Sequence, residues 1–198
     1  MSQLHTGSAR RVDLELPGQC IATLQAGHPE GRPVLLVPGY TGSKEDFGPI
    51  LDPLADAGLS PIAIDLPGQL DSPGLPKLAD YAPDRLADCI RGIAARFSRP
   101  VLLLGHSFGG LVARAAVLTE PELFDSLVLL CSGPAGIGGL RRATMDRMDP
   151  VLESAGLPAV YAALQDIWRA DPSYVSPPPD VAAFLERRFL TASPVMLR

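Results

Sequence analysis

Residues 101–110 read Val-Leu-Leu-Leu-Gly-His-Ser-Phe-Gly-Gly. Four apolar residues with no polar interruption describe a strand buried on both faces, and the run from Phe108 to Leu118 has the spacing of a helix. Between them lies Gly105-His106-Ser107-Phe108-Gly109, a Gly-x-Ser-x-Gly turn. A strand that turns sharply into a helix holds the middle residue on a strained backbone, so glycines two before and two after remove side chains that would collide. Ser107 is then projected from the carboxyl edge of a sheet. Its hydroxyl is a weak nucleophile at neutral pH unless a base takes the proton and backbone N–H groups receive the developing negative charge. The N–H of Phe108, at the helix start, suits the second role. A glycine-rich turn whose serine only caps the helix is the plainer alternative; the strand before and the helix after favour the nucleophile.

The flanking sequence repeats the strand-then-helix theme. Val34 to Val37 is a second apolar run, ended by Pro38-Gly39-Tyr40-Thr41-Gly42-Ser43 and followed by Phe47, Ile50, Leu51 and Leu54 at helical spacing. Pro61 to Leu66 is a third, broken by Asp65 and leading into Pro67-Gly68-Gln69-Leu70-Asp71-Ser72-Pro73-Gly74. Leu86, Cys89, Ile90, Ile93 and Phe97 form an apolar stripe on a helix beginning near Asp80. Leu127 to Cys131 reads as another buried strand, with Cys131 a small buried hydrophobe. Upstream, Val12 to Leu16 and Gln19 to Gln25 alternate about Pro17-Gly18, which predicts a β-hairpin after a loose tail. The pattern predicts an α/β fold with a mostly parallel sheet, helices on both faces, right-handed crossovers, and ligands at the carboxyl ends of the strands. From Leu140 onward there are helical stretches, at about 140–154, 158–170 and 179–190, and no buried strand; these are expected to cap the active edge. The expected organisation is a tail over 1–10, a core over 11–135 and a helical cap over 136–198.

Composition narrows the functions. A chain of 198 residues suffices for one sizeable core. The formal charge of -5 with scattered Lys and Arg leaves no basic footprint for nucleic acid. Cys20, Cys89 and Cys131 are too few and too widely spaced for a disulfide framework or a metal site, which suits a reducing cytoplasm. The amino terminus lacks the apolar core of a signal peptide, and no run is long enough to span a bilayer. Nothing calls for a metal or an organic cofactor.

On three motifs the chain resembles the α/β-hydrolase superfamily: the elbow Gly105 to Gly110, the loop Pro38 to Ser43, and Asp65-Leu66-Pro67-Gly68-Gln69-Leu70-Asp71-Ser72. The resemblance implies a serine hydrolase of small esters, thioesters or related acyl compounds, working through an acyl-enzyme on Ser107, with the N–H groups of Tyr40 and Phe108 as the oxyanion hole. Pro38 stands where the family usually has His, and Leu70 where it has the second Gly of the third motif, a turn expected to shape the sheet edge without a catalytic part. Tyr40's phenol is expected to be pocket wall. Trp168, Tyr161, Leu164 and Ile167 are expected to give a cap helix one apolar face, packed on the sheet domain or lining an acyl pocket.

The family's acid and histidine follow the serine in the order Ser, Asp or Glu, His. This chain has His5, His28 and His106, none of them after Ser107. His106 is expected to point away beneath the elbow, and His28 and His5 to lie toward the opposite edge of the sheet. Asp146, Asp149, Asp166, Asp171 and Asp180 read as solvated cap residues, and Ser132-Gly133-Pro134 offers no acid after the Leu127 to Cys131 strand. The resemblance therefore implies an incomplete or inactive hydrolase, short of about 60 residues at roughly 30 per strand–helix unit. It is expected to associate through an uncovered sheet edge. A non-catalytic binding module and a lyase or transferase built on the same elbow are the alternatives.

Overall fold

The computed structural model describes residues 4–134 and 139–198. Six strands form one sheet: β1 (Arg10–Leu16), β2 (Gln19–Gln25), β3 (Arg32–Val37), β4 (Leu59–Ile64), β5 (Val101–His106) and β6 (Phe124–Leu130). Their spatial order is β1-β2-β4-β3-β5-β6. The hairpin β1–β2 joins antiparallel to β4, and β4, β3, β5 and β6 are mutually parallel. The helices are α1 (Gly48–Asp56), α2 (Pro83–Ala94), α3 (Phe108–Thr119), α4 (Gly139–Arg169) and α5 (Pro179–Thr191).

Strand alternation divides the core into two layers. On one face Leu35, Val37, Ile62, Ile64 and Leu103 meet Leu86, Ile90 and Ile93 of α2 and Val112, Ala113 and Ala116 of α3. On the other, Leu24, Val34, Leu36 and Ala63 meet Phe47 and Leu51 of the first connection. The inner part of the central strands, Val34 to Val37 and Pro61 to Ile64, therefore has to be apolar at consecutive positions, which is why these segments read as continuous runs.

The strand ends differ from expectation for identifiable reasons. β4 starts two residues early, because Leu59 and Ser60 pair with Arg32 and Pro33, and it stops at Ile64, where Asp65 and Leu66 leave the sheet for the next turn. β6 starts at Phe124 and is not a buried strand: it lies at the sheet edge, with Val128, Leu129 and Leu130 exposed by 51, 42 and 48 %. Cys131, expected to be buried, is exposed at the uncovered end of that strand. The helix expected from Asp80 begins at Pro83, whose fixed φ and missing N–H suit a first helical position; Leu78–Tyr81 before it is a single 3-10 turn.

α4 consists of two helical stretches that meet at Gly156, where φ is 74° and ψ is -176°, a conformation open to glycine alone, so the two stretches expected at about 140–154 and 158–170 are both present. Both stretches pack on α5, Leu152 from the first and Leu157, Val160 and Tyr161 from the second clustering with Phe189. After α5 the chain returns to the sheet layer: Ala192 and Met196 join the main core, and the Ser193 N–H donates to the Gly68 carbonyl at 2.8 Å. Among the described residues no helix is long and apolar enough to cross a membrane.

Candidate active site

β3 and β5 are neighbours in register, with Val37 opposite Gly105, so the residues two beyond each, Gly39 and Ser107, emerge side by side at the carboxyl edge. Ser107 has φ 53° and ψ -119°, a strained conformation for a residue with a Cβ. Packing maintains it. A Cβ on Gly105 would lie 2.5 Å from the Gly109 carbonyl oxygen, and one on Gly109 would lie 2.3 Å from that of Pro38. These two glycines let strand, turn and helix approach without side chains between them. The Ser107 N–H donates to the Leu130 carbonyl at 2.8 Å, tying the elbow to β6. Although Ser107 stands at the cap position of α3, its hydroxyl makes no capping bond. The Phe108 N–H is one of the donors that a helix start leaves without an intrahelical partner.

The loop after β3 is a tight turn in which the Gly42 N–H donates to the Gly39 carbonyl at 3.0 Å. A side chain at Gly39 would sit 3.4 Å from Ser107 Cβ and 3.2 Å from His106 Nδ1, so glycine permits the close approach of loop and elbow. His106 therefore does not lie beneath the elbow. It lines the same cavity as Ser107, because the positive φ at Ser107 breaks the alternation that would otherwise send neighbouring side chains to opposite sides. His28 is in the turn before β3, where its Nδ1 accepts the Glu30 N–H, at the amino edge of the parallel strands. His5 belongs to the segment that Ser8 fastens to Asp52 of α1. Among the described residues none of the three histidines is hydrogen-bonded to the Ser107 hydroxyl.

The cavity above Ser107 holds about 540 Å³. Its floor is Gly39, Tyr40, Thr41, Gly42, His106 and Ser107; its roof is Met145, Met148, Val160, Leu164, Ile167 and Trp168 of α4 with Phe189 of α5. Leu164, Ile167 and Trp168 thus line the cavity, while Tyr161 packs behind them, edge-on to Trp168 and 5.3 Å from the Phe189 ring. Tyr40 is wall, edge-on to Phe108 with centroids 6.1 Å apart, and burial pushes its phenol well above the ordinary tyrosine value. At the rim, Arg188 of α5 pairs with Asp46 at 2.6 Å, joining the roof to the segment that follows the floor loop.

Behind the loop is a charged cluster that the sequence did not suggest. Lys44 is 1 % exposed and its ammonium contacts Asp65 at 2.8 Å, Asp71 at 2.7 Å and Glu45 at 3.0 Å. Burial works against that ammonium, but the charges and hydrogen bonds of Asp65, Asp71 and Glu45 outweigh it and hold its pKa above the ordinary lysine value. Burial pushes the Asp65 carboxyl up to about 6, against the pull of Lys44. The only signal for this cluster is a lysine next to a glycine-rich loop, and that is also how a surface residue looks. Among the described residues no cluster of three or more His, Cys, Asp or Glu side chains has the geometry to hold a metal.

Residues 32–169 match the model of the alpha/beta hydrolase fold. The chain belongs to the alpha/beta hydrolase family. Within it, the chain is 31 % identical over 125 residues to a human serine hydrolase-like protein, covering 63 % of this chain and 61 % of that protein. It is 37 % identical over 65 residues to a pimeloyl-[acyl-carrier protein] methyl ester esterase of Yersinia pseudotuberculosis, covering 33 % of this chain and 25 % of that protein. The chain thus spans less than two thirds of these curated relatives. Among solved structures, a putative aryl esterase from Burkholderia cenocepacia superposes with a TM-score of 0.77 over 96 % of this chain and 70 % of that one, at 24 % identity. At that identity the superposition speaks for the alpha/beta hydrolase fold alone.

Proposed function

We propose that this alpha/beta hydrolase attacks small, largely apolar esters or thioesters through Ser107: its Oγ bonds to the acyl carbon as its proton passes to a general base, the N–H groups of Tyr40 and Phe108 receive the oxyanion, and the acyl bond to the alcohol or thiol then breaks, that group leaving with the proton. The observation that carries the proposal is Ser107 itself. It is held at positive φ at the mouth of a helix, free of a capping bond, and opens into a mostly apolar cavity. Strain of this kind, maintained by two packed glycines, is characteristic of functional positions. The methyl ester esterase among the relatives supports an ester substrate.

The 198 residues supply the acyl-accepting half of this chemistry. His28 sits at the wrong edge, His106 reaches the cavity from the adjacent position, and no histidine follows. A second reading, a binding module that holds an acyl ligand without turnover, is favoured by the lack, among the described residues, of a hydrogen bond between a histidine and the Ser107 hydroxyl. Intact-mass detection of fluorophosphonate labelling separates the two. Stoichiometric labelling that vanishes in Ser107→Ala is the expected result for an activated nucleophile. A folded sample that stays unlabelled leaves the binding module.

A further inference from the structure

We propose that Gln69 is a positioning residue that aims the Tyr40 N–H at the oxyanion, an assignment that rests on the acyl-transfer reading of Ser107. Gln69 is 2 % exposed in the turn after β4, and its side-chain amide is satisfied by backbone alone. Nε2 donates to the Gly39 carbonyl at 2.7 Å and to the Tyr40 carbonyl at 3.0 Å, and Oε1 accepts the Leu66 N–H at 2.9 Å. Because Oε1 faces an obligate donor, the amide has one possible orientation.

The consequence follows from peptide geometry. The peptide between Gly39 and Tyr40 is trans, so its N–H points opposite to its C=O. The carbonyl is turned toward Gln69, which lies in a small buried space with Leu66, Tyr81, Leu86 and Phe108 and takes no part in lining the cavity above Ser107. The N–H is thereby directed away from that buried side, toward the cavity that Gly39 and Tyr40 line. A carbonyl that already accepts hydrogen bonds also polarises its own peptide and strengthens the N–H as a donor.

The brace is itself held at both ends. The Ser72 hydroxyl donates to the Asp65 carbonyl at 2.9 Å, and Asp65 Oδ1 accepts the Lys44 N–H at 2.7 Å, just beyond the loop. The turn over residues 65–72, which looks in sequence like a shaping element of the sheet edge, grips the candidate oxyanion loop from behind. Glutamate at position 69 would keep the length but cannot donate to two carbonyls when ionised. Leucine would keep the bulk and offer nothing.

Phenylboronic acid tests the assignment without requiring turnover. The Ser107 oxygen bonds to boron, its proton leaves to solvent, and the tetrahedral boronate places a negative oxygen where an oxyanion would lie. Binding is followed by the amide signals of Tyr40 and Phe108, with toluene as a neutral ligand that fills the cavity and forms no bond. The expected result is binding by the wild-type chain that Ser107→Ala abolishes. Gln69→Glu and Gln69→Leu should weaken boronate binding about 10²-fold, the scale of one oxyanion donor, and leave toluene affinity unchanged. Equal boronate affinity in wild type and variants overturns the inference, and so does a parallel loss of toluene binding, which marks a merely structural role. Absence of Ser107-dependent boronate binding by the wild type overturns the acyl-transfer reading and this inference with it. Independently of how the variants fold, the Gln69 side-chain NH₂ of the wild type should exchange slowly with solvent; exchange as fast as that of an exposed amide also overturns it.

Discussion

Gly109→Ala and Gly105→Ala are each expected to destabilise the chain by about 3 kcal/mol or more, at the upper end for over-packing a core site. The atoms that a new methyl group would meet are backbone: the Pro38 and Val37 carbonyl oxygens at 2.3 and 2.5 Å for residue 109, and the Gly109 oxygen and Gly110 Cα at 2.5 and 2.6 Å for residue 105. Backbone at the junction of two central strands and a helix cannot rotate aside as a side chain can. Relief requires β3, β5 and α3 to separate, which opens the main core. For a chain of this size such a loss corresponds to a fall in Tm of about 10 °C. Gly18→Ala is the control: its φ is 77°, yet nothing lies within 4 Å, so only the conformational term is lost. Thermal denaturation followed by circular dichroism checks the comparison, and equal shifts at positions 18 and 109 would contradict it.

Lys44→Met is expected to cost about 3–5 kcal/mol near neutral pH, the scale for removing one partner of a buried ion pair. The methionine would leave Asp65, 0 % exposed, facing Asp71 and Glu45 with no interior cation. The pH dependence has a definite sign. Burial pulls the Asp71 carboxyl up, but the hydrogen bond and charge of Lys44, with the charge of Arg11, outweigh it and keep its pKa below the usual value. Without Lys44 the folded-state values of both aspartates rise. A carboxyl whose folded pKa lies above its unfolded value binds more protons in the native state, so stability increases as pH falls through that range. The gap in Tm between wild type and variant should therefore be widest at pH 8 and narrow by pH 5, below the value of about 6 that burial gives Asp65 even with Lys44 in place. A gap independent of pH would mean that Lys44 contributes packing rather than charge.

These cases show what was legible in the sequence. The elbow was, because its glycines are dictated by backbone clearance over a few residues, a constraint that the spacing Gly105-x-Ser107-x-Gly109 records directly. The sheet was legible through runs such as Val34 to Val37, since a strand covered on both faces admits no polar residue. β6 misled because the run Leu127 to Leu130 is as apolar as its neighbours, and exposure depends on what covers a strand rather than on its own composition. Gln69 gave no signal because each of its partners is a main-chain group, present whatever the residue. Lys44 and Asp65 are 21 positions apart with nothing in sequence to mark them as a pair. The sequence does not mark His106 as a cavity residue, because strand alternation would turn it away and the φ of 53° at the next residue, which ends that alternation, leaves no trace in composition.

The pairing of Val37 with Gly105 also has a consequence in time. Gly39 and Gln69 are 30 positions apart, whereas Val37 and Gly105 are separated by 68, and each doubling of a loop costs about 0.6 kcal/mol in closure entropy. Bracing the glycine turn is thus entropically easier than bringing in the elbow, and contacts of higher sequence separation form more slowly. On refolding, the receiving side of the site is expected to be seated before the nucleophile arrives. Pulse labelling should find the Gly42 N–H, bonded within its turn, protected ahead of the Ser107 N–H, which waits for both β5 and β6.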